Sequence, residues 1–271
     1  MKSSKNLWLM GGFGNVLFQV LAYRVLLQNG YEVRCIEKLT RVNIFTRLLD
    51  FTIHERAYQN FFSREDVQDV SLIKAVIALF FGLMSKKTGK SNLISSFYSE
   101  TSSSLEQIKS TNIFGYFQHK DFLIENKFNL LKLGQELHRK YKRDENFTVV
   151  HFRMGDSAWA KEHYEYYAKV RSLVKQEGCE VLIATDSPEE AMSFFSGCGN
   201  VKLSGAKSAI DDFRFLVSAR KLYCAPSTFS WWAAHSLSSE SQVIMPAFFE
   251  HQLGIYIDKD RFILVDSNAK A

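Results

Sequence analysis

The sequence predicts an α/β protein made of two halves, each a parallel sheet covered by helices. Three observations carry this. A short apolar strand at the start of the chain runs into a glycine turn and then a helix-periodic segment. From residue 147 to 246, strand-like and helix-like segments alternate without a break, the pattern of a parallel sheet buried on both faces. Between these regions lies the polar stretch "HRKYKRDEN" (138–146), which reads as a linker. The expected halves are therefore 1–140 and 141–271, with a cleft between them as the place for a ligand.

In order along the chain, "NLWLM" (6–10) reads as a buried strand entering "GGFGN". The segment "VLFQVLAYRVLLQNG" is apolar at 16, 17, 20, 21, 25 and 26, a helical period, and stops at Asn29-Gly30. "YEVRCIE" alternates as a second strand. Residues 40 to 135 are less regular, with helical patches at 44–52 and 70–84 and a Ser-rich stretch, "LISSFYSETSSSLEQ", read as a loop. In the second half the strands are "FTVVHF", "CEVLIAT", "NVKLS", "KLYCAP" and "SQVIMP". The helices between them are "EHYEYYAKVRSLVKQEG", "SPEEAMSFFS", "DDFRFLVSAR" and "STFSWWAAHSL". Pro188 stands near the first turn of its helix, where proline is tolerated.

Composition is that of a globular chain: of 271 residues, 46% are hydrophobic and 23% charged, enough to bury a core. The net charge of +5 suits an anionic ligand, a membrane surface or a slightly lysine-rich exterior, and is too mild to suggest nucleic acid. Cys35, Cys179, Cys198 and Cys224 have no C-x-x-C or framework spacing and read as reduced, mostly buried thiols of a cytosolic protein. The N-terminus lacks a signal-peptide apolar region. The longest apolar run, "LIKAVIALFFGLM" (72–84), is too short to span a bilayer. Two readings stay open for it. It is a buried helix ending in a polar loop or, with Lys86, Lys87 and Lys90 following, a helix on an anionic membrane surface.

Ligands of open α/β sheets collect at the carboxyl ends of the strands. Five such ends carry chemistry here. "GGFGN" offers Gly12-x-Gly14, the start of a dinucleotide fingerprint with Glu37 in the ribose-acid place, but Leu17 stands where the third glycine belongs. "GLMSKKTGKS" has the wrong spacing for a phosphate loop and no strand before it. In "HFRMGD", His151 and Arg153 share one face of a strand, Gly155 permits a turn, and Asp156 can fix that turn or orient the arginine. A guanidinium there suits a phosphate, while a structural Arg–Asp pair is the alternative. Asp186, after "VLIAT", can accept from a ribose or a base edge. Asp211-Asp212 open a helix, as caps or as ligand groups.

"PSTFSWW" (226–232) supplies the fifth. Pro226 presets the turn, Ser227 and Thr228 are N-cap residues, and the helix start is an anion site. Two of only four tryptophans stand side by side just behind it. Rings that anchor the helix in the core would hold such a site still. No His/Cys/Asp/Glu group has metal spacing; "DKD" (258–260) sits in a polar turn.

These residues resemble the inverting α-1,2-fucosyltransferase family of bacterial surface-polysaccharide synthesis. "GGFGNVLFQ" is similar to its GGxGNQxFQ opening, and "GYFQHKDF" (115–122) to its GYxQ segment. "HFRMGD" resembles H-x-R-R-x-D, "DDFRFLVSARKLYCAPSTFSWWAAH" its D…LM…C…NSSFSWWxAW block, and "PAFFE" the stretch that follows. The resemblance implies a GT-B fold, two Rossmann-like domains facing each other across a cleft. It implies GDP-fucose as donor, a galactose-containing glycan as acceptor, lipid-linked acceptors and contact with the inner membrane face included, and no obligatory metal or other cofactor. By position it makes Arg153, with His151 and Asp156, the catalytic group. Gly12, Gly14, Asn15, Asp186, Asp212, Ser227, Thr228, Phe229 and Ser230 would then hold the donor, and Gln118, His119 and Asp121 would lie on the acceptor side. Met154 replaces a second arginine, and Val16 the glutamine of GNQ, which bears on donor preference. A GDP-sugar-binding protein without transfer, or a transferase for another GDP-deoxyhexose, is the alternative.

Overall fold

The computed structural model describes residues 3–37, 61–88, 95–98, 105, 109–144, 147–154, 160–251 and 253–266. It divides into two compact units, Met1–Leu130 and Leu131–Ala271. The helical patch expected at 44–52, as well as Gly155, Asp156 and Lys90, lies outside the described residues.

In unit 1, β1 (Lys5–Trp8) leads into α1 (Phe13–Gln28) and β2 (Val33–Ile36). Then come β3 (Val67–Gln68), α2 (Leu72–Thr88), β4 (Ser95–Tyr98), β5 (Asn112–Gly115) and α3 (Lys120–Glu125). The strands form one parallel sheet in the order β3-β2-β1-β5-β4. α1 is apolar nearly all round and buried along most of its length, as a helix packed on several sides must be. It stops at Asn29, and Gly30 takes the left-handed conformation (φ +80°) common at helix ends. The Ser-rich stretch expected to be a loop contains β4, whose backbone pairs with β5; strand pairing overrides a composition that favours turns. Residues 85–88, read as the start of a polar loop, continue α2.

The second region opens with α4 (Lys127–Tyr141), and the division between the units falls within this helix. The stretch read as a linker from 138 is therefore helical through Tyr141. Leu133 and Leu137 on it are wholly buried, a 3.6-residue period that the charged neighbours disguise.

Unit 2 continues with β6 (Phe147–Phe152), α5 (Ala160–Val174), β7 (Val181–Thr185), α6 (Pro188–Phe194) and β8 (Val201–Leu203). It ends with α7 (Ala209–Val217), β9 (Ala219–Tyr223), α8 (Thr228–Ser236), β10 (Gln242–Pro246), α9 (Phe248–His251) and β11 (Ile263–Val265). All six strands are parallel, in the order β11-β10-β9-β6-β7-β8. Counted from β6 this is 3-2-1-4-5-6 reversed, the doubly wound order of a Rossmann domain. Its chain direction switches between β6 and β9, so the crevice outside the carboxyl ends of those two strands is where a ligand belongs.

Candidate functional site

At the switch point of unit 2, β6 delivers Arg153 and Met154, and β9 delivers the turn "CAPS" into α8. Alternation along β6 sends Phe152 into the aromatic core with Tyr167, Phe194 and Phe195. His151 goes to the other face, against Phe229 at 5.6 Å. The strand end is fixed by Tyr167 of α5, wholly buried, whose hydroxyl accepts from Arg153 N–H at 2.9 Å and donates to His151 O at 3.2 Å. The guanidinium lies 3.8 Å (Nε) from Asp186 Oδ2, and Met154 N–H donates to Asp186 Oδ1 at 3.4 Å. Asp186, at the end of β7, thus holds both residues of the β6 turn. Among the described residues the arginine has an acidic partner in Asp186; Asp156, the acid of the motif itself, lies outside them.

His151 is buried beside Arg153, and burial first, then that cation, pushes its imidazole down to about 3. It is therefore neutral, and its buried Nδ1 has no hydrogen-bond partner among the described residues. Met154 packs its side chain on the aromatic core, where the resembled family carries a second arginine.

α8 starts as the sequence suggests. Ser227 is the N-cap, its hydroxyl accepting from Ser230 N–H at 3.2 Å. Pro226, Ser227 and Thr228 are half-buried at the sheet edge. Ser230 is not: it is wholly buried and its hydroxyl accepts from Ala225 N–H at 2.9 Å, so it fixes the turn instead of facing a ligand. Phe229 is likewise a packing residue, against His151 and Phe213. Behind them Trp231 and Trp232 are both wholly buried with rings crossed at 5.2 Å. Trp231 donates to Tyr256 O at 2.9 Å and stacks on His235 at 3.6 Å. The paired tryptophans pin the helix whose first turn forms the site wall.

The two aspartates of α7 part company. Asp211 accepts from Ser208 Oγ and N–H-caps with it, and pairs with Arg214 at 3.0 Å and Arg143 at 3.4 Å; these hydrogen bonds and cations hold its carboxyl down. Among the described residues Asp212 meets no cation in this way. It accepts from Ser204 Oγ at 3.4 Å, and burial, with the charges of Asp186 and Asp211 adding, pushes it up to about 6. Arg153, Asp186, Ser204, Asp212, Ser227 and Thr228 thus lie at the carboxyl edge of four strands of one sheet.

Unit 1 has its own switch point, between β1 and β5. Gly11, which the sequence reading passed over, carries the turn: its φ is +81°, and a Cβ there would lie 2.6 Å from Asn15 Nδ2. Gln19, wholly buried, clamps Met10 through both its N–H (3.0 Å) and its C=O (2.9 Å). Gly12 is the N-cap of α1 and Gly14 is buried. Asn15 Oδ1 accepts from Gln118 Nε2 at 2.9 Å, which joins two predicted residues from opposite ends of the unit. Gln118 follows Phe117, buried and left-handed at φ +54°, a strained backbone for a bulky residue. His119 and Asp121 make a loose pair at 3.7 Å at the start of α3. The dinucleotide alternative fits poorly: Glu37 is only 3% exposed, and Leu17 is fully buried where a glycine should let helix and strand close up. Among the described residues no group of three His, Cys, Asp or Glu could hold a metal.

No family model matches the chain, and no curated protein sequence matches it. Solved structures do. Escherichia coli heptosyltransferase WaaC with ADP is 12% identical with a TM-score of 0.50, over 98% of this chain and 93% of its own. A protein described as a UDP-N-acetylglucosamine 2-epimerase of Listeria monocytogenes gives the same identity and score, over 98% and 85%. The fucosyltransferase NodZ of Bradyrhizobium, also 12% identical, gives 0.43 over 88% and 94%. The chain therefore has an α/β fold of two Rossmann-like units, the GT-B fold, and the likeness covers 98% of it.

Proposed function

We propose that this chain is an inverting glycosyltransferase that moves L-fucose from GDP-fucose to a galactoside hydroxyl, forming an α-1,2 linkage in a bacterial surface glycan such as O-antigen. One observation carries this reading. Adjacent strands β6 and β9 bring Arg153, whose main-chain N–H is held by Tyr167, and the start of α8 to one sheet edge. Both pieces are the ones through which the sequence resembles GDP-fucose enzymes. A guanidinium holds phosphate oxygens bidentately, and the helix start adds N–H donors and a positive dipole end.

In this reading the acceptor oxygen attacks C1 of fucose from the face opposite GDP. The new C–O bond forms as the bond from C1 to the β-phosphate oxygen breaks, and the electron pair leaves on GDP. Arg153 and the α8 start neutralise that charge, so no metal or further cofactor is called for. Asp186 and Asp212 serve the guanosine. Gly12, Gly14 and Asn15, held by Gln118, serve the sugar, and His119 and Asp121 are the candidates for taking the acceptor proton. The acceptor is a galactose-containing glycan, lipid-linked ones included, met at the inner face of the cell membrane.

Met154 favours a second reading. With a thioether packed in the core in place of a cation, one phosphate contact is missing. That suits another GDP-deoxyhexose as donor, or GDP-sugar binding without transfer. Acceptor-stimulated release of GDP separates transfer from mere binding.

The test is thermal unfolding with GDP, GDP-fucose, UDP and NADH in parallel, each with EDTA. A guanine ligand at a hundred times its Kd adds about 2.7 kcal/mol, or roughly 5–10 °C in Tm. Stabilisation by the two guanine ligands alone supports the donor class. A shift with NADH and none with GDP overturns it.

A further inference from the structure

Helix α2 wears its residues inside out. Toward the core of unit 1 it turns small side chains: Ala75, Ala78, Gly82 and Ser85 are buried, with Leu79 the one large residue among them. A Cβ on Gly82 would meet the ring of Phe114 at 2.9 Å, so the helix lies tight on β5. Outward it presents Leu72, Ile73, Val76, Ile77, Phe80, Leu83 and Met84, each between 44% and 73% exposed. At about 100° per residue these seven fall in a single stripe about 140° wide along some 18 Å of helix. An ordinary surface helix points that stripe at its own core.

The charges on the helix itself have one sign. No Asp or Glu occurs from Leu72 to Thr88, whereas Lys74, Lys86 and Lys87 are all exposed. On the same wheel Lys74 and Lys86 fall beyond opposite borders of the stripe, and Lys87 falls within it at the C-terminal end. An apolar strip edged by lysines is complementary to a surface that is oily within and anionic at its rim. The helix itself cannot cross such a layer: none in the described residues is long and apolar enough.

We propose that α2 is a membrane-docking face that lies in the interface of an anionic lipid bilayer, with the seven apolar side chains in the acyl boundary and the lysines at the headgroups. This goes beyond the donor reading and does not depend on it.

Sedimentation with phosphatidylcholine vesicles, with and without phosphatidylglycerol, tests it on the full chain. Wild type should co-sediment with the anionic vesicles and be released by salt. Lys86→Glu/Lys87→Glu should weaken partitioning at least 25-fold, since each lysine near an anionic surface is worth about fivefold. Ile73→Asp/Phe80→Asp should abolish it. Both pairs are exposed, so melting temperature and the response to GDP should match wild type, which separates a failure here from a failure of the donor reading. Absence of vesicle binding by a folded wild type overturns the proposal. So does a wild-type dimer that Ile73→Asp/Phe80→Asp turns into monomers without any lipid binding, for the stripe is then covered by a second copy. Equal binding to neutral vesicles, unchanged by the lysine reversals, overturns the charge-guided docking proposed.

Discussion

Asp212→Asn should make the protein more stable, and only above a definite pH. The carboxyl is half-buried, accepts from Ser204 Oγ, and faces the charges of Asp186 and Asp211, so burial first and then those charges push it up from 3.8 to about 6. Between those values the folded state keeps a proton that the unfolded chain has lost, and stability falls as pH rises. Above about pH 6 the penalty is complete; below 3.8 it is absent. The difference corresponds to a ceiling of about 3 kcal/mol at 1.36 kcal/mol per pH unit, and screening of a half-open site brings it to about 1–2 kcal/mol. Asparagine can still accept from Ser204 and carries no charge, so at pH 8 the variant should melt about 3–6 °C higher. At pH 4 the two proteins should melt together. The assay is scanning calorimetry of both from pH 4 to 8, with GDP titration at each pH. A carboxylate that accepts N–H groups from a guanine base is neutralised in that role by the same change, so GDP affinity should fall by about 10-fold or more while stability rises. A variant that melts at or below wild type at pH 8, or that gains equally at pH 4, refutes the argument from burial and charge. A gain in stability with unchanged GDP affinity removes Asp212 from the donor site.

Arg153→Ala should cost about 10²–10³ in kcat, the range for one preorganised donor at a developing negative charge; retention of more than half the turnover would remove the residue from the mechanism. Tyr167→Phe leaves Arg153 N–H without the hydroxyl that accepts from it and should cost about 1–3 kcal/mol in stability. Because the same hydroxyl aligns the β6 end, kcat should also fall, with KM for the donor less affected. Gly11→Ala combines a left-handed φ with a Cβ driven into Asn15, about 2–3 kcal/mol in all, checked by urea unfolding; a neutral effect would mean the turn relaxes freely.

The parts legible in the sequence were those governed by short-range physics. The strand–turn–helix opening, the doubly wound second half, Arg153 at a strand end and the Ser227 cap follow from periodicity and cap chemistry within a dozen residues. What local pattern could not show was which partner each group would meet. Arg153 meets Asp186, which parallel pairing of β6 with β7 sets beside it, and no spacing in the motif announces that contact. Ser227 and Ser230 look alike in "STFS", yet the cap geometry turns one to the edge and the other inward onto Ala225. Asp211 and Asp212 are adjacent, and a rotation of about 100° along α7 gives one to Arg214 and the other to Ser204. Tyr167 carries no signal at all: it sits in "YEYY", and only the packing of α5 on β6 makes its hydroxyl the brace of the strand end.

The two switch points share a device that says why their flanking residues matter. In unit 1 Gln19, on α1, reaches back to hold both polar groups of Met10, the residue just before the glycine turn. In unit 2 Tyr167, on α5, reaches back to the N–H of Arg153 and the C=O of His151. In each case the helix that follows the strand sends a buried polar side chain to satisfy main-chain groups that the sheet leaves behind at its carboxyl edge. Such a group left unpaired in a buried place costs about 1–3 kcal/mol, so the strand end is held to one geometry. That rigidity is what a site working by fixed charge requires, because a guanidinium that must reorient as the leaving group departs gives back part of its advantage. In the proposed transferase reading, Gln19 and Tyr167 are positioning residues, and their loss should act on turnover through the groups they hold.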